Sequence, residues 1–186
     1  MALFVGIGGT TREGSSSEYA LNIVMGGLRA HGHDTEVFLG EQLKALPIYD
    51  PEDDRRTGIA DELVDALRRC DGLVIATPGY HGSVSGLIKN AIDYVEDLRN
   101  DERCYWDGIP VGCVAVAYGW QASVGALSAL RDITHALRGW STPYGAAINS
   151  AVQDVRSDPD VRVSLNLVAD QVAWFAEQTT SRVAAV

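Results

Sequence analysis

The feature that most constrains this chain is a regular alternation of short apolar runs with longer amphipathic stretches. Apolar runs occupy Ala2 to Ile7, Thr35 to Leu39, Gly72 to Thr77, Pro110 to Ala117 and Thr142 to Ile148. Apolar residues recur at helical spacing over Ser15 to Ala30, Ile59 to Cys70, Val84 to Leu98, Ala122 to Leu137 and Val161 to Arg182. The runs at Gly72 and Pro110 are apolar almost throughout, as strands covered on both faces must be. Strand followed by helix, repeated along the chain, predicts an α/β fold: a parallel sheet with helices on both faces and right-handed crossovers. Five strands suit the order 2-1-3-4-5 better than the six-stranded dinucleotide fold. Gly40 to Thr57 reads as a long connection. Asn100 to Gly108, polar with an embedded Tyr105-Trp106, reads as an exposed insertion or a partner contact.

The length of 186 residues fits one domain spanning 1–186, and 46% apolar with 22% charged residues is ordinary for a globular protein. A net charge of −10 disfavours nucleic acid and anionic membrane as partners, since both repel it. No apolar run approaches the roughly 18–20 residues that span a bilayer. No basic region precedes the apolar start, so no signal peptide is expected and the location expected is cytoplasmic. Cys70, Cys104 and Cys113 fit no zinc or CxxC spacing and read as reduced thiols. His31 and His33 flank Gly32 and read as a solvated turn, with no metal site expected.

In an open parallel sheet, ligands bind beyond the carboxyl ends of the strands, where the strand order reverses. The loops after strands 1, 3 and 4 are therefore the informative ones. The first is Gly8-Gly9-Thr10-Thr11-Arg12-Glu13-Gly14-Ser15-Ser16-Ser17. Hydroxyls and amides at a helix N-terminus make an anion nest, and Arg12 adds a planar cation. Thr10, Arg12, Ser15, Ser16 and Ser17 together suit a terminal phosphate monoester. A P-loop would need a lysine that is absent here. A GxGxxG fingerprint matches at Gly6 and Gly8 but meets Thr11 at its third glycine; in that reading Glu41 would serve a ribose. A serine helix cap alone explains one serine.

The second loop is Pro78-Gly79-Tyr80-His81-Gly82-Ser83. Its exposed amides can hydrogen-bond the pyrimidine edge of a flavin ring, or it is a tight turn with a helix cap at Ser83. The third, Tyr118-Gly119-Trp120-Gln121, offers either a ring-lined wall or aromatic packing against a neighbouring helix or subunit.

These segments, with Leu46-Pro47-Ile48-Tyr49-Asp50-Pro51 and Gly86-Leu87-Ile88-Lys89-Asn90-Ala91-Ile92-Asp93-Tyr94, resemble the NADPH-dependent FMN reductase family from about Val5 to Asn149. The resemblance implies a flavodoxin-like three-layer fold, bound FMN, and NADPH or NADH as electron donor. It implies a phosphate site at Thr10, Arg12, Ser15, Ser16 and Ser17, and a ring site at Pro78, Gly79, Tyr80, His81, Gly82 and Ser83, with Tyr118, Gly119 and Trp120 alongside. It further implies a homodimer or homotetramer with Lys89 to Leu98 near a partner subunit. The acceptor would be a flavin, a quinone, an azo dye or a metal oxyanion, and reduced free flavin would feed a separate monooxygenase. No protein nucleophile, general acid or general base is required, because the cofactor carries the chemistry. The alternative is a flavodoxin-type electron carrier without nicotinamide activity. Three departures stand out: Gly79 where many relatives carry Glu, His81 where Asn is frequent, and a third loop without the common Gly-Gly pattern.

Overall fold

The structure, a computed structural model, describes residues 1–183, with side chains through residue 179. Strands β1 (Leu3–Gly8), β2 (Asp34–Phe38), β3 (Gly72–Pro78) and β4 (Pro110–Ala117) pair in parallel. Two short strands, β5 (Trp140–Ser141) and β6 (Ala146–Asn149), both pair with β4, giving the order β2-β1-β3-β4 and then β5 and β6. The helices are α1 (Ser16–Ala30), α2 (Gly40–Leu43), α3 (Gly58–Arg69), α4 (Gly86–Asp93), α5 (Trp120–Ala136) and α6 (Pro159–Val183). Among the described residues, no helix is long and apolar enough to cross a membrane.

Alternating strand residues build one core on each face of the sheet. Val5, Ile7, Leu73, Ile75, Val111 and Cys113 pack on the side of α3, α4 and α5. Phe4, Val74, Ala76, Val114 and Val116 pack on the side of α1 and α6. The doubly wound three-layer arrangement is the one the alternation predicts.

Several local expectations are corrected. The fifth strand is split: the register against β4 shifts by two residues between β5 and β6. In the intervening segment the Thr142 hydroxyl donates to the Tyr144 carbonyl and the Tyr144 N–H donates to Gln171. Pro143 there has no N–H to give to a ladder. The Gly40 to Thr57 connection opens with α2, and α4 tightens into a 3-10 helix at Tyr94–Leu98.

The Asn100 to Gly108 stretch is not an exposed insertion. Trp106 is fully buried, its backbone N–H bonded to Leu137, and Tyr105 donates its hydroxyl to Glu96. The His31–His33 turn is also less solvated than expected: the His33 ring packs edge-on against Phe4, 5.0 Å between centroids.

The long connection is pinned to α4. Asn90 donates to the Pro47 carbonyl and accepts from the Tyr49 N–H, and Tyr94 donates its hydroxyl to Pro47. Asn90 of the Lys89-Asn90-Ala91 motif is thus a brace for the Leu46 to Pro51 segment.

Candidate functional site

Sheet register brings the informative loops to one edge. Gly8 lies beside Ala76, Pro78 beside Val116, and Ala117 beside Asn149. The loops after β1, β3, β4 and β6 therefore follow one another along the carboxyl ends, and the strand order reverses between β1 and β3.

In the first loop, Ser15 is the N-cap of α1, its hydroxyl accepting from the Glu18 N–H at 3.3 Å. Ser15 and Ser17 are buried with hydroxyl oxygens 3.4 Å apart. The Thr10 hydroxyl accepts from the Arg12 N–H at 3.0 Å and so shapes the turn. Backbone N–H groups of Thr11, Glu13, Ser16 and Ser17 take no intramolecular acceptor, and the exposed Arg12 guanidinium has no ion-pair partner among the described residues. Unspent amides at a helix start, two buried hydroxyls and an unpaired guanidinium suit a compact dianion.

Sequence reasoning missed Glu18, whose carboxylate accepts from the Gly14 N–H at 3.1 Å. The signal was present: Ser15-Ser16-Ser17-Glu18 has the spacing of a capping box, displaced here by one residue. A cavity of about 520 Å³ between α4 and α5 lies away from these loops, lined in part by Tyr49, Lys89, Ile92 and Ile133. A smaller one of about 360 Å³ adjoins the first loop on the β2 side, lined by Thr10, Thr11, Glu13, Glu18 and Leu39 to Gln42. Three carboxylates make that side unattractive to a phosphate, and Glu41 is engaged by Lys44 at 2.6 Å.

The second loop is a two-residue hairpin. Tyr80 and Ser83 exchange both backbone hydrogen bonds at 3.0 Å, and His81 and Gly82 take φ of +50° and +84°. Positive φ at both central residues is the geometry that favours Asn-Gly. The familiar Asn and the His found here therefore answer the same backbone demand. Ser83 belongs to this turn, and the cap of α4 is Ser85, whose N–H donates to the buried Thr77 hydroxyl. The Tyr80 and Ser83 amides are consumed, which leaves the His81 and Gly82 amides at the tip. Valine at position 81 is expected to destabilise the fold by about 1–2 kcal/mol, the cost of a branched residue at positive φ, with asparagine neutral. Urea unfolding checks this; an unchanged midpoint for His81→Val contradicts the turn assignment.

Gly79 has a steric reason. A Cβ there would lie 2.9 Å from the Ala122 carbonyl oxygen and 2.9 Å from the Ala117 methyl. The first turn of α5 occupies the space that a glutamate side chain would need.

In the third loop, the helix starts earlier than expected, so Trp120 is the first residue of α5 while Tyr118 stays in the loop. Both are exposed, as is Tyr80. Gly119, at φ +114°, donates its N–H to the Asn149 side-chain oxygen at 2.8 Å, and the same oxygen accepts from Ala151. Asn149 is a brace that no local motif announced. Burial pushes the Cys70 and Cys113 thiols up to about 11, so both are protonated and unreactive near neutral pH.

The family profile described as NADPH-dependent FMN reductase matches residues 3–153. The chain belongs to the NADPH-dependent FMN reductase family. Membership places it among NAD(P)H-dependent oxidoreductases that work with FMN. The chain is 28% identical over 183 residues to an FMN-dependent NADPH-azoreductase of Staphylococcus haemolyticus, covering 92% of this chain and 93% of that one. It is 32% identical over 89 residues to an NADPH azoreductase of a Bacillus strain, spanning 47% of each. A flavodoxin, WrbA-like protein from Agrobacterium tumefaciens superposes with a TM-score of 0.67 at 17% identity, covering 96% of this chain and 99% of that one. That likeness identifies the fold as flavodoxin-like.

Proposed function

We propose that the strand ends at the β1/β3 reversal hold FMN and that the protein passes electrons from NADPH or NADH to a small acceptor: a quinone, an azo compound or free flavin. Thr10, Arg12, Ser15, Ser16 and Ser17 hold the phosphate. Pro78, Gly79, Tyr80, His81, Gly82 and Ser83 border the ring on one side, and Tyr118, Gly119 and Trp120 on the next. The carrying observation is the cradle of unspent amides with an unpaired Arg12 at the strand-order reversal. Bound FMN supplies hydride acceptance from the nicotinamide and electron release to the acceptor. The His81 and Gly82 amides are the donors left to face developing negative charge on the ring. Tyr80, Tyr118 and Trp120 offer flat apolar cover that limits water at the reacting face.

An azo acceptor gains weight from the relatives named azoreductases. Steady-state assays test the acceptor: NADPH consumption rises with a quinone, an azo dye or free FMN, with parallel double-reciprocal lines as a two-stage cycle requires. Consumption that no acceptor raises favours the carrier reading. Arg12→Ala is expected to weaken FMN binding by about 1.5–3 kcal/mol, the scale of a charge-assisted hydrogen bond. An unchanged dissociation constant measured by flavin fluorescence places the phosphate elsewhere.

The expected homodimer or homotetramer would meet over α4 and α5, where the 520 Å³ cavity lies. Light scattering decides this; a monomer at working concentration removes it. Three free cysteines support a reducing, cytoplasmic location.

A further inference from the structure

The loop between β6 and α6 reaches the first loop through one side chain. Arg156 donates from its guanidinium to the Gly14 carbonyl at 2.5 Å and lies over the Tyr19 ring, 5.3 Å from its centroid. The turn that carries it is well anchored. Asp154 accepts from the Arg156 N–H at 3.0 Å and from the Ser157 hydroxyl at 2.8 Å, while the neighbouring Val155 is buried in the α1/α6 core. Gly14, at φ +66°, immediately precedes the cap of α1. Its peptide groups are held on both sides, the N–H by the Glu18 carboxylate and the carbonyl by Arg156.

This clamp has an electrostatic side. The first loop has one cation of its own, Arg12, against Glu13 and Glu18. A phosphate dianion arriving beside the Glu18 carboxylate meets repulsion that one exposed guanidinium only partly offsets. Arg156 adds a second positive charge from across the fold, stacked on an aromatic face and so limited in its freedom.

We propose that Arg156 is a positioning residue for the phosphate cradle: it fixes the Gly14 peptide so that the loop amides converge, and its charge offsets Glu18. The inference rests on the FMN reading above and assigns a role to a residue outside the loops that reading uses. It distinguishes flavins by their phosphate, because riboflavin has the ring but no anion to place.

The test is fluorescence titration of the purified, flavin-free protein with FMN and with riboflavin, for wild type, Arg156→Ala, Arg156→Gln and Arg12→Ala. Arg156→Ala is expected to weaken FMN tenfold or more, leave riboflavin within twofold, and flatten the salt dependence of FMN binding. Arg156→Gln, which retains a donor for Gly14 without the charge, is expected to fall between wild type and alanine. Equal losses for FMN and riboflavin, or no loss for FMN, overturn the proposal. If Arg12→Ala weakens FMN while Arg156→Ala does not, this inference fails and the FMN reading stands. If neither weakens FMN, the phosphate reading fails with it.

Discussion

Gly40→Ala is expected to abolish useful FMN affinity. A Cβ at Gly40 would sit 1.7 Å from the Thr10 carbonyl oxygen and 2.6 Å from its carbon, both backbone atoms of the first loop. No side-chain rotation relieves a collision with backbone, so either the start of α2 or the loop must shift. Overpacking of this kind costs about 1–3 kcal/mol of stability. The effect on binding is larger, because the cradle depends on several amides pointing at one place. Losing two charge-assisted hydrogen bonds costs about 3–6 kcal/mol, a hundredfold or more in dissociation constant. Calorimetric FMN titration with a parallel thermal melt reads both. A Gly40→Ala protein that binds FMN as wild type does contradicts a phosphate site in this loop.

Arg56→Ala is expected to be strongly destabilising although it lies away from the site. The Arg56 guanidinium meets both Asp97 oxygens at 2.7 and 2.8 Å, with side-chain exposures of only 15% and 21%. It also bonds the Asp53 carbonyl and lies over the Tyr49 and Tyr94 rings at 5.1 and 5.6 Å. Removing the cation leaves Asp97 largely buried, with the Tyr49 hydroxyl at 3.2 Å as its remaining close donor. Breaking a buried pair costs about 3–5 kcal/mol, and residual exposure puts this one near the lower end, about 3 kcal/mol. For a chain of this size that lowers the melting temperature by roughly 6–12 °C.

The same pair sets a pH dependence. Hydrogen bonds from Arg56 hold the Asp97 carboxyl below its ordinary value. The folded state therefore favours the charged form, and the unfolded state binds more protons in the acid range. The stabilisation is complete above the ordinary carboxyl range, near pH 4, and is lost as pH falls through the lowered folded value. Asp97→Asn is expected to start less stable and to lose less on acidification. An acid-unfolding curve parallel to wild type contradicts that role.

What was legible in the sequence was what local chemistry determines. The β4 boundaries follow from an unbroken apolar run, and α1 from its serine cap and helical spacing. The three loops were found because a parallel sheet must place them together. What escaped depends on partners distant in sequence. Trp106 looked exposed because its neighbours are polar, yet the end of α5 covers it. Asn149 and Arg156 gain meaning only through Gly119 and Gly14 in other loops. The expected run Thr142 to Ile148 covers most of β6 but not β5, which precedes it at Trp140–Ser141 and pairs with β4 in a different register. Gly79 stood out as a departure without a reason and Gly40 did not stand out at all, and the backbone beside each supplies the reason.

A flavin seated in these loops is expected to be reduced by a nicotinamide. The direct measurement is the visible absorbance of the FMN-loaded protein, mixed with NADPH and then NADH in the absence of air. Loss of the flavin band on mixing, with recovery when an acceptor is added, is the predicted result. A band that neither nicotinamide bleaches, or a colourless protein that takes up no FMN, would contradict it.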